Sequence, residues 1–595
     1  MTYSPVWDLN VFFPGGSSSE QFGAYVQTIK VELEQLDQTI TAWEVASNKE
    51  DADVLHTILQ LNTSVGMKLN QSDSFVGCLE AQDMKDYGSK RWRSQITTLF
   101  ATYTSLQAKF DEKLEQMDED SFQQLFQDDN FQELQFILNE RRRNAKEKLS
   151  VIEETLIEQL GIDGYHGWSE LYDSLVGFIN IPFEENGKTE MLSVGQAANK
   201  FSHPDRSVRK RIFKEWEKAW SDKEELFAHA LNHLAGYRLT VYEKRGWDNV
   251  LKEPLEISRM KEETLNSMWE AITKNKHHLV AFLQRKAKLL GVDKLSWYDL
   301  DAPLQTTSEG QLSYDEGAKF ILKHFSTFGK QLTSFTEKAF ENRWIEAEDR
   351  SNKRPGGFCT DFPESKQSRI FMTYSGTPDN ISTLAHELGH AFHSYAMRDV
   401  HPLNGNYAMN VAETASTFAE MIVSDASVNE ATKKEEKIAM LENKIQGIIA
   451  FFMNIHARFL FETRFYEERR HGTVASERLN ELMLEAQKEA YCDALDEYHP
   501  QFWASKLHFY ISSVPFYNFP YTFGFLFSRG IYEKALHAGE GFEEKYIALL
   551  KDTGCMTVED LAMKHFQEDM TKVDYWERAV QSCVKDIELF LELTE

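Results

Sequence analysis

A chain of 595 residues is too long for one simple core and points to about two to four folding units. Its apolar fraction of 42% is ordinary for a globular protein and excludes global disorder. The net charge of −29 argues against nucleic acid and against anionic membrane surfaces, because both need an excess of lysine and arginine.

With 13 prolines and 30 glycines, the chain favours long helices over many short strands. The residues from Met1 to Asp8 have neither the basic nor the apolar stretch of a signal peptide, so none is expected. From about residue 19 to 151, apolar residues recur every three or four positions among charges. Phe122, Leu125 and Phe126 show this, as do Leu134, Ile137 and Leu138. The pattern predicts a run of amphipathic helices. Arg141, Arg142 and Arg143 are expected to begin a solvated basic face. Residues 178–183 followed by Glu185-Asn186-Gly187-Lys188 read as a strand and a hairpin turn. A soft break is placed near residues 195–205. It divides the chain into an N-terminal helical domain, 1–200, and a second domain, 201–595.

Helical patterning resumes at Ser207 and runs to about Leu290. It includes His229 and His233, an i, i+4 pair with no acidic residue after the first histidine, which reads as structural. Trp297 to Pro303 reads as a loop or strand edge. Between about Asn352 and Gly376 the pattern turns to strands, first Gly356-Gly357-Phe358-Cys359 and then residues 368–374. Beyond residue 380 nearly everything is helical. The longest apolar run, residues 448–453, is far below the roughly 20 residues that a membrane span needs. Cys78, Cys359, Cys492, Cys555 and Cys583 are scattered with no CxxC, so a reducing, cytoplasmic setting is expected.

The most informative stretch is His386-Glu387-Leu388-Gly389-His390. Two residues four apart on a helix lie one above the other, about 40° apart in projection. Two imidazoles presented this way can share one tetrahedral zinc ion. The glutamate beside the first can then accept a proton from a water that the ion activates. Pro378-Asp379-Asn380 offers a turn and an N-cap for this helix. Leu384, Ala391 and Tyr395 can face a core. Gly389 costs about 1 kcal/mol relative to alanine inside a helix, so it is expected to admit a close neighbour, a strand or the substrate.

Zinc needs a third protein ligand and an open position. A third histidine on the same helix fits poorly. His393 and Ala396 stand where one metallopeptidase pattern needs glycine and histidine, and the Cα of His393 is about 10 Å from that of His386. His393 reads instead as a buried, hydrogen-bonded histidine. The other option is a glutamate on a following helix. Glu413 lies among small and apolar residues, where an unpaired carboxylate is expensive to bury and a metal would stabilise it. Glu420, two turns further on the same face, suits holding a ligand histidine by its second ring nitrogen.

With these residues in place, the chain resembles oligoendopeptidase F, within the thimet oligopeptidase group of zinc peptidases. The likeness is carried by His386 to His390 and by Ala412-Glu413-Thr414-Ala415-Ser416. Asn352-Lys353-Arg354 with Gly356-Gly357-Phe358, Thr383-Leu384-Ala385, and His508-Phe509-Tyr510 with Pro515-Phe516-Tyr517 add to it. Asp8-Leu9 and residues 13–19 resemble one branch of that family, so the likeness spans essentially the whole chain. It implies a mostly α fold: a two-lobed helical zincin-type metallopeptidase with a small β-sheet beside the active-site helix and a deep substrate channel. It implies one Zn2+ per chain held by His386, His390 and Glu413, with Glu387 as the catalytic base. It also implies that His508 and one or more of Tyr510, Tyr517 and Tyr521 contact the substrate and the transition state. The stretch from Tyr517 to Phe525 departs from the thimet branch, which is richer in glycine and tyrosine there. Which tyrosine reaches the oxyanion stays open.

The expected function is hydrolysis of peptide bonds in short oligopeptides, by a zinc-activated water with a glutamate general base. Oligopeptides are the expected partners, with no nucleic acid and no membrane; the sequence does not reveal the oligomeric state. The strand around residues 370–374 is expected to pair with an extended peptide. Two alternatives stay open. A dipeptidyl carboxypeptidase-like exopeptidase would need a cationic or amide pocket for the terminal carboxylate, and none can be located in the sequence. A non-catalytic peptide-binding helical protein would have no use for Glu387.

Overall fold

The computed structural model describes residues 2–45, 49–185, 187–304, 312–539 and 541–595. The chain begins with three long helices, Glu20–Ala42, Lys49–Gln82 and Tyr87–Gln116, packed together. Ser19 starts the first by accepting a hydrogen bond from the Phe22 amide. Phe22, Val26, Ile29, Leu33, Leu36 and Ile40 then bury one face. That three-to-four spacing is the amphipathic pattern, and each such side chain contributes roughly 1.5–3 kcal/mol on burial.

The expected basic face does not form as a solvated surface. Arg142 is buried, lies over the Phe122 ring, and donates to Glu119 and to the Met117 carbonyl. Arg141 pairs with Asp111, and only Arg143 of the three stays exposed. Long arginine stems can cover apolar surface when their heads find partners. The hairpin forms where expected, from β1 (Ile181–Glu185) and β2 (Lys188–Leu192), with Glu185 opposite Lys188. Gly187 holds φ +74°, which suits glycine in a tight turn; Asn186 lies outside the described residues. Helices Arg206–Ser221, Glu224–Arg245 and Glu262–Leu289 fill the predicted helical stretch. His229 and His233 are exposed there and belong to no group of three potential metal ligands among the described residues.

Two apolar cores divide the molecule. One draws on residues from Trp7 to Leu138, the other on residues from Tyr165 to Phe590. The division falls between Leu138 and Tyr165, upstream of the expected break near residues 195–205. A three-stranded sheet joins the cores. Its strands are β3 (Ile345–Glu346), β4 (Phe358–Phe362) and β5 (Gln367–Phe371), in the order β3-β5-β4. β5 runs parallel to β3 and antiparallel to β4. Successive side chains on a strand face opposite ways. Phe371, with Phe362, therefore enters the N-terminal core, whereas Ile370 and Met372 enter the C-terminal one.

This topology corrects one expectation. β5 is paired on both sides, and the Met372 and Tyr374 amides donate to the Glu346 and Ala347 carbonyls. It offers no free edge to a peptide. The strand with only one strand partner at this end of the sheet is β4. Against the sheet lies the helix Pro378–Met397, the motif helix, and against that the helix Thr414–Glu430. Among the described residues no helix is long and apolar enough to cross a membrane.

Candidate metal centre and active site

The motif helix is capped just before the expected Pro378-Asp379-Asn380 segment, which itself forms the first turn. Thr377 is the N-cap and accepts from the Asn380 amide, and Pro378 occupies the first turn, where its missing N–H costs nothing. Asn380 instead accepts from the Ser375 amide. Leu384 and Ala391 are fully buried and Tyr395 is half-buried, as their spacing predicts. These residues fix the opposite face, with His386 and His390, towards the glutamate helix.

Gly389 explains the closeness of that second helix. A Cβ at position 389 would stand 2.6 Å from the Ser416 Cα and closer still to the Ala415 carbonyl oxygen. The close neighbour is the helix that follows Glu413, not the strand or the substrate that the sequence suggested. Glu413 itself sits at the junction between the short helix Met409–Ala412 and Thr414–Glu430. Gly524 allows the helix Phe519–Ala538 to lie against this junction: a Cβ there would be 2.9 Å from the Asn410 carbonyl oxygen and 3.3 Å from the Glu413 Cβ.

The packing brings three side chains together. Glu413 Oε2 lies 3.2 Å from His386 Nε2 and 3.3 Å from His390 Nε2. Each of the three offers a ligand atom within 4.8 Å of the others, and no other such group occurs among the described residues. They retain 27%, 23% and 27% side-chain exposure for His386, His390 and Glu413, so the group opens to solvent on one side. Ser416 Oγ donates to Glu413 Oε2 at 2.7 Å. Glu420 Oε2 meets the other ring nitrogen of His386, Nδ1, at 3.0 Å, which fixes the ring's orientation.

The electrostatics follow from this crowding. Burial opposes a charged His386, but Glu413 and Glu420 outweigh it and raise the imidazole to about 10. Burial would likewise raise the Glu413 carboxyl, yet the two imidazoles hold it well below the ordinary carboxylate range. Such a group could hold a metal ion, whose charge would take the place of the shared proton. Glu387 sits in a nearly closed environment, only 7% exposed, and burial, with the Glu413 charge, pushes its carboxyl up against the opposing pull of His386 and His390. Gly357, just before β4, stands beside it: a Cβ there would be 3.6 Å from Glu387 Oε1.

The downstream aromatics separate into two sets. His508 lies on a one-turn 3-10 helix with its ring 5.5 Å from Tyr517 and 6.3 Å from Tyr521, centre to centre. Tyr517 and Tyr521 are 5.7 Å apart. Phe516, immediately before Tyr517, holds φ +51°, a conformation that a bulky residue keeps only when its surroundings enforce it. Burial, with the charges of Arg458 and Lys506, pushes His508 down to about 4, so its ring is neutral. Tyr510 is different and leaves the candidate set. It is fully buried and stacked on Tyr172 at 3.8 Å, because the turn after His508 points it into the core.

His393 is buried as expected, hydrogen-bonded to Thr553 Oγ1 at 2.9 Å and stacked on Tyr407. Tyr407 was not legible in the sequence; no periodic or motif signal marks it. It lines a cavity of about 960 Å3 between the N-terminal helices and the C-terminal end of the motif helix. Tyr103, Asp361 and Ser394 also line that space, and the His386–His390–Glu413 group does not.

Comparison with known proteins agrees with this architecture. The profile of peptidase family M3 matches residues 201–582, and a profile described as oligopeptidase F matches residues 113–180. An oligoendopeptidase F homolog of Lactococcus lactis subsp. lactis (strain IL1403) is 24% identical over 98% of this chain and 96% of that protein. The plasmid-borne oligoendopeptidase F of Lactococcus lactis subsp. cremoris is 24% identical over 97% of this chain and 95% of its own length. The crystal structure of oligoendopeptidase-F from Enterococcus faecium superposes with a TM-score of 0.71 at 19% identity, covering 96% of this chain and 99% of that one. At that identity the structural likeness is one of fold. The family profile spans well over half of the chain, which is therefore a peptidase of family M3.

Proposed function

We propose that this peptidase is a zinc-dependent oligopeptidase that cleaves internal bonds of short peptides, with His386, His390 and Glu413 holding one zinc ion. The observation that carries this is the approach of one carboxylate oxygen, Glu413 Oε2, to the Nε2 atoms of both histidines. Two donors each about 2.1 Å from a tetrahedral centre lie about 3.4 Å apart. The separations of 3.2 and 3.3 Å fit that requirement. Two imidazoles and one carboxylate suit zinc and leave a fourth position for water or substrate.

When bound, the ion acts as a Lewis acid on the scissile carbonyl and on the attacking water. The protein's own groups do the rest. Glu420 holds His386 by Nδ1, leaving Nε2 directed at the centre. The Glu387 carboxylate takes a proton from the attacking water and passes it to the leaving nitrogen. The hydroxyl of Tyr517 or Tyr521, or the neutral ring of His508, donates a hydrogen bond to the oxyanion that develops. An extended peptide adds beside the Phe358–Cys359 end of β4, next to Gly357 and Glu387, because at the other end the Asp361 carbonyl already accepts from Ser74 Oγ.

In this reading the catalytic unit is residues 201–595, and the N-terminal unit of residues 1–200 lends its last segment, from Tyr165 onward, to the catalytic unit's core. All five cysteines are unpaired, which agrees with a cytoplasmic setting. The test is metal analysis of the purified protein together with an internally quenched fluorescent peptide. Stoichiometric zinc and internal cleavage abolished by a chelator and restored by zinc are expected. Protein that binds no zinc and cleaves no peptide after zinc addition would overturn the assignment.

A further inference from the structure

Beside the tyrosine pair lie two cations without an acidic partner among the described residues. Arg458, on the helix Ile455–Arg469, gives one hydrogen bond to Asn518 Oδ1 at 2.9 Å, and its buried Nε has no partner among the described residues. Lys506 stands two residues before His508. The Arg458 guanidinium and the Lys506 ammonium lie 5.4 and 5.1 Å from the centre of the same ring, Phe502. Neither forms an ion pair among the described residues, although the chain has 94 acidic residues for 65 basic ones. An unpaired cation held partly out of water is costly, and Arg142, Arg209, Lys286 and Arg529 avoid it here by pairing with carboxylates.

Their charges are felt locally. Burial lowers Arg458 to about 10, and burial with the Arg458 charge lowers Lys506 to about 8. The one charge that opposes this lowering at Lys506 is that of Asp301, an exposed residue. The place is close to the reaction. Asn518 follows Tyr517 in the chain, and the charges of both Arg458 and Glu413 reach Tyr521. Gly524, one turn beyond Tyr521, touches Glu413.

We propose that Arg458 and Lys506 form a receptor for a carboxylate of the peptide substrate, adjoining His508 and the Tyr517–Tyr521 pair. This rests on the peptidase reading and adds a substrate class to it: peptides with a negative charge at a set distance from the scissile bond. Two sources share that chemistry, the free C-terminal carboxylate and an aspartate or glutamate side chain. A guanidinium and an ammonium both donate charge-assisted hydrogen bonds, the stronger kind, to either.

The test uses the zinc-loaded full chain and matched peptides of one sequence. One set compares a free C-terminus with a C-terminal amide. The other compares glutamate with glutamine at each position of the amide peptide. In the wild type, kcat/KM is expected to be at least about 10-fold higher for one charged peptide than for its neutral match, chiefly through KM, as two charge-assisted contacts allow. Lys506→Met and Arg458→Gln should each reduce that ratio towards one. A preference in the acid–amide set assigns the chain terminus, and one in the glutamate–glutamine set assigns a side chain. Equal cleavage of charged and neutral peptides by the wild type, or a ratio unchanged in Lys506→Met, would overturn the receptor. Absence of cleavage of every peptide would overturn the peptidase reading itself, a separate result.

Discussion

Gly389 on the motif helix is pressed against the backbone of Ser416, with only 2.6 Å between that Cα and the place where a side chain would begin. The neighbours there are backbone atoms, which cannot swing aside. Gly389→Ala should therefore push the two helices apart. We expect a stability loss of about 1–3 kcal/mol, as for overpacked cores, and a lower zinc content. Thermal melts and metal analysis check both. A variant with wild-type melting and full metal would show that the helices are free to shift.

Glu387→Gln tests the base without disturbing the ligands. The amide keeps the shape of the side chain but accepts no proton. Zinc content should stay at one per chain while kcat/KM falls about 100- to 10,000-fold, the span usual for general acid–base catalysis. Turnover near that of the wild type would remove Glu387 from its role.

Glu413, at the junction, and Glu420, in the helix after it, should separate by severity. Glu413→Ala deletes a donor and is expected to leave the purified protein without bound zinc. Glu420→Gln disturbs only the atom that orients His386, and should weaken zinc binding about 10- to 100-fold. Competition with a metal-sensitive dye measures both. Equal affinity in the two variants would place Glu420 among the direct ligands.

Tyr510 and Tyr517 make a matched pair for kinetics. Tyr517→Phe is expected to lower kcat about 10- to 1,000-fold with little change in KM, as when an oxyanion donor is lost. Tyr510→Phe should leave both constants alone. It removes a buried hydroxyl with no partner among the described residues, so it should not lower the melting temperature either. A kinetic defect in Tyr510→Phe would return that residue to the site.

His393 gives a pH prediction. Burial, with the His390 charge, pushes it down to about 3, below its unfolded value of about 6.5. The unfolded chain therefore takes up a proton between those limits that the folded chain refuses. Wild-type stability, measured relative to a His393→Gln variant, should fall as the pH drops below about 6.5, by up to about 1.4 kcal/mol per pH unit. Denaturant unfolding of both proteins at several pH values checks the slope. A difference that stays constant from pH 7.5 to 5 would show that His393 titrates alike in both states.

Much of the candidate site could be read from the chain because it is built on helical spacing. His386 and His390, four apart, share a face by arithmetic alone, and Glu413 and Glu420, seven apart, fall two turns from one another at the start of the next long helix. The contact between the pairs depends on Gly389 and Gly524, whose neighbours come from other parts of the chain. A glycine announces that something comes close, not what. Tyr510 misled for the same reason: a one-turn helix reverses the direction of adjacent aromatics, and no periodic signal survives there. Arg142 looked solvated because its partners, Glu119 and Phe122, lie about 20 positions away. Arg458 and Lys506, 48 positions apart, carry no shared pattern at all and meet only over Phe502.

The strand β5 has a mechanical consequence. Ile370 and Phe371 are bonded neighbours, yet each is anchored in a different core. A displacement of one core against the other is therefore borne by this strand, through a single peptide bond. That bond lies just ahead of the motif helix, so the helix takes its footing from both halves of the molecule at once.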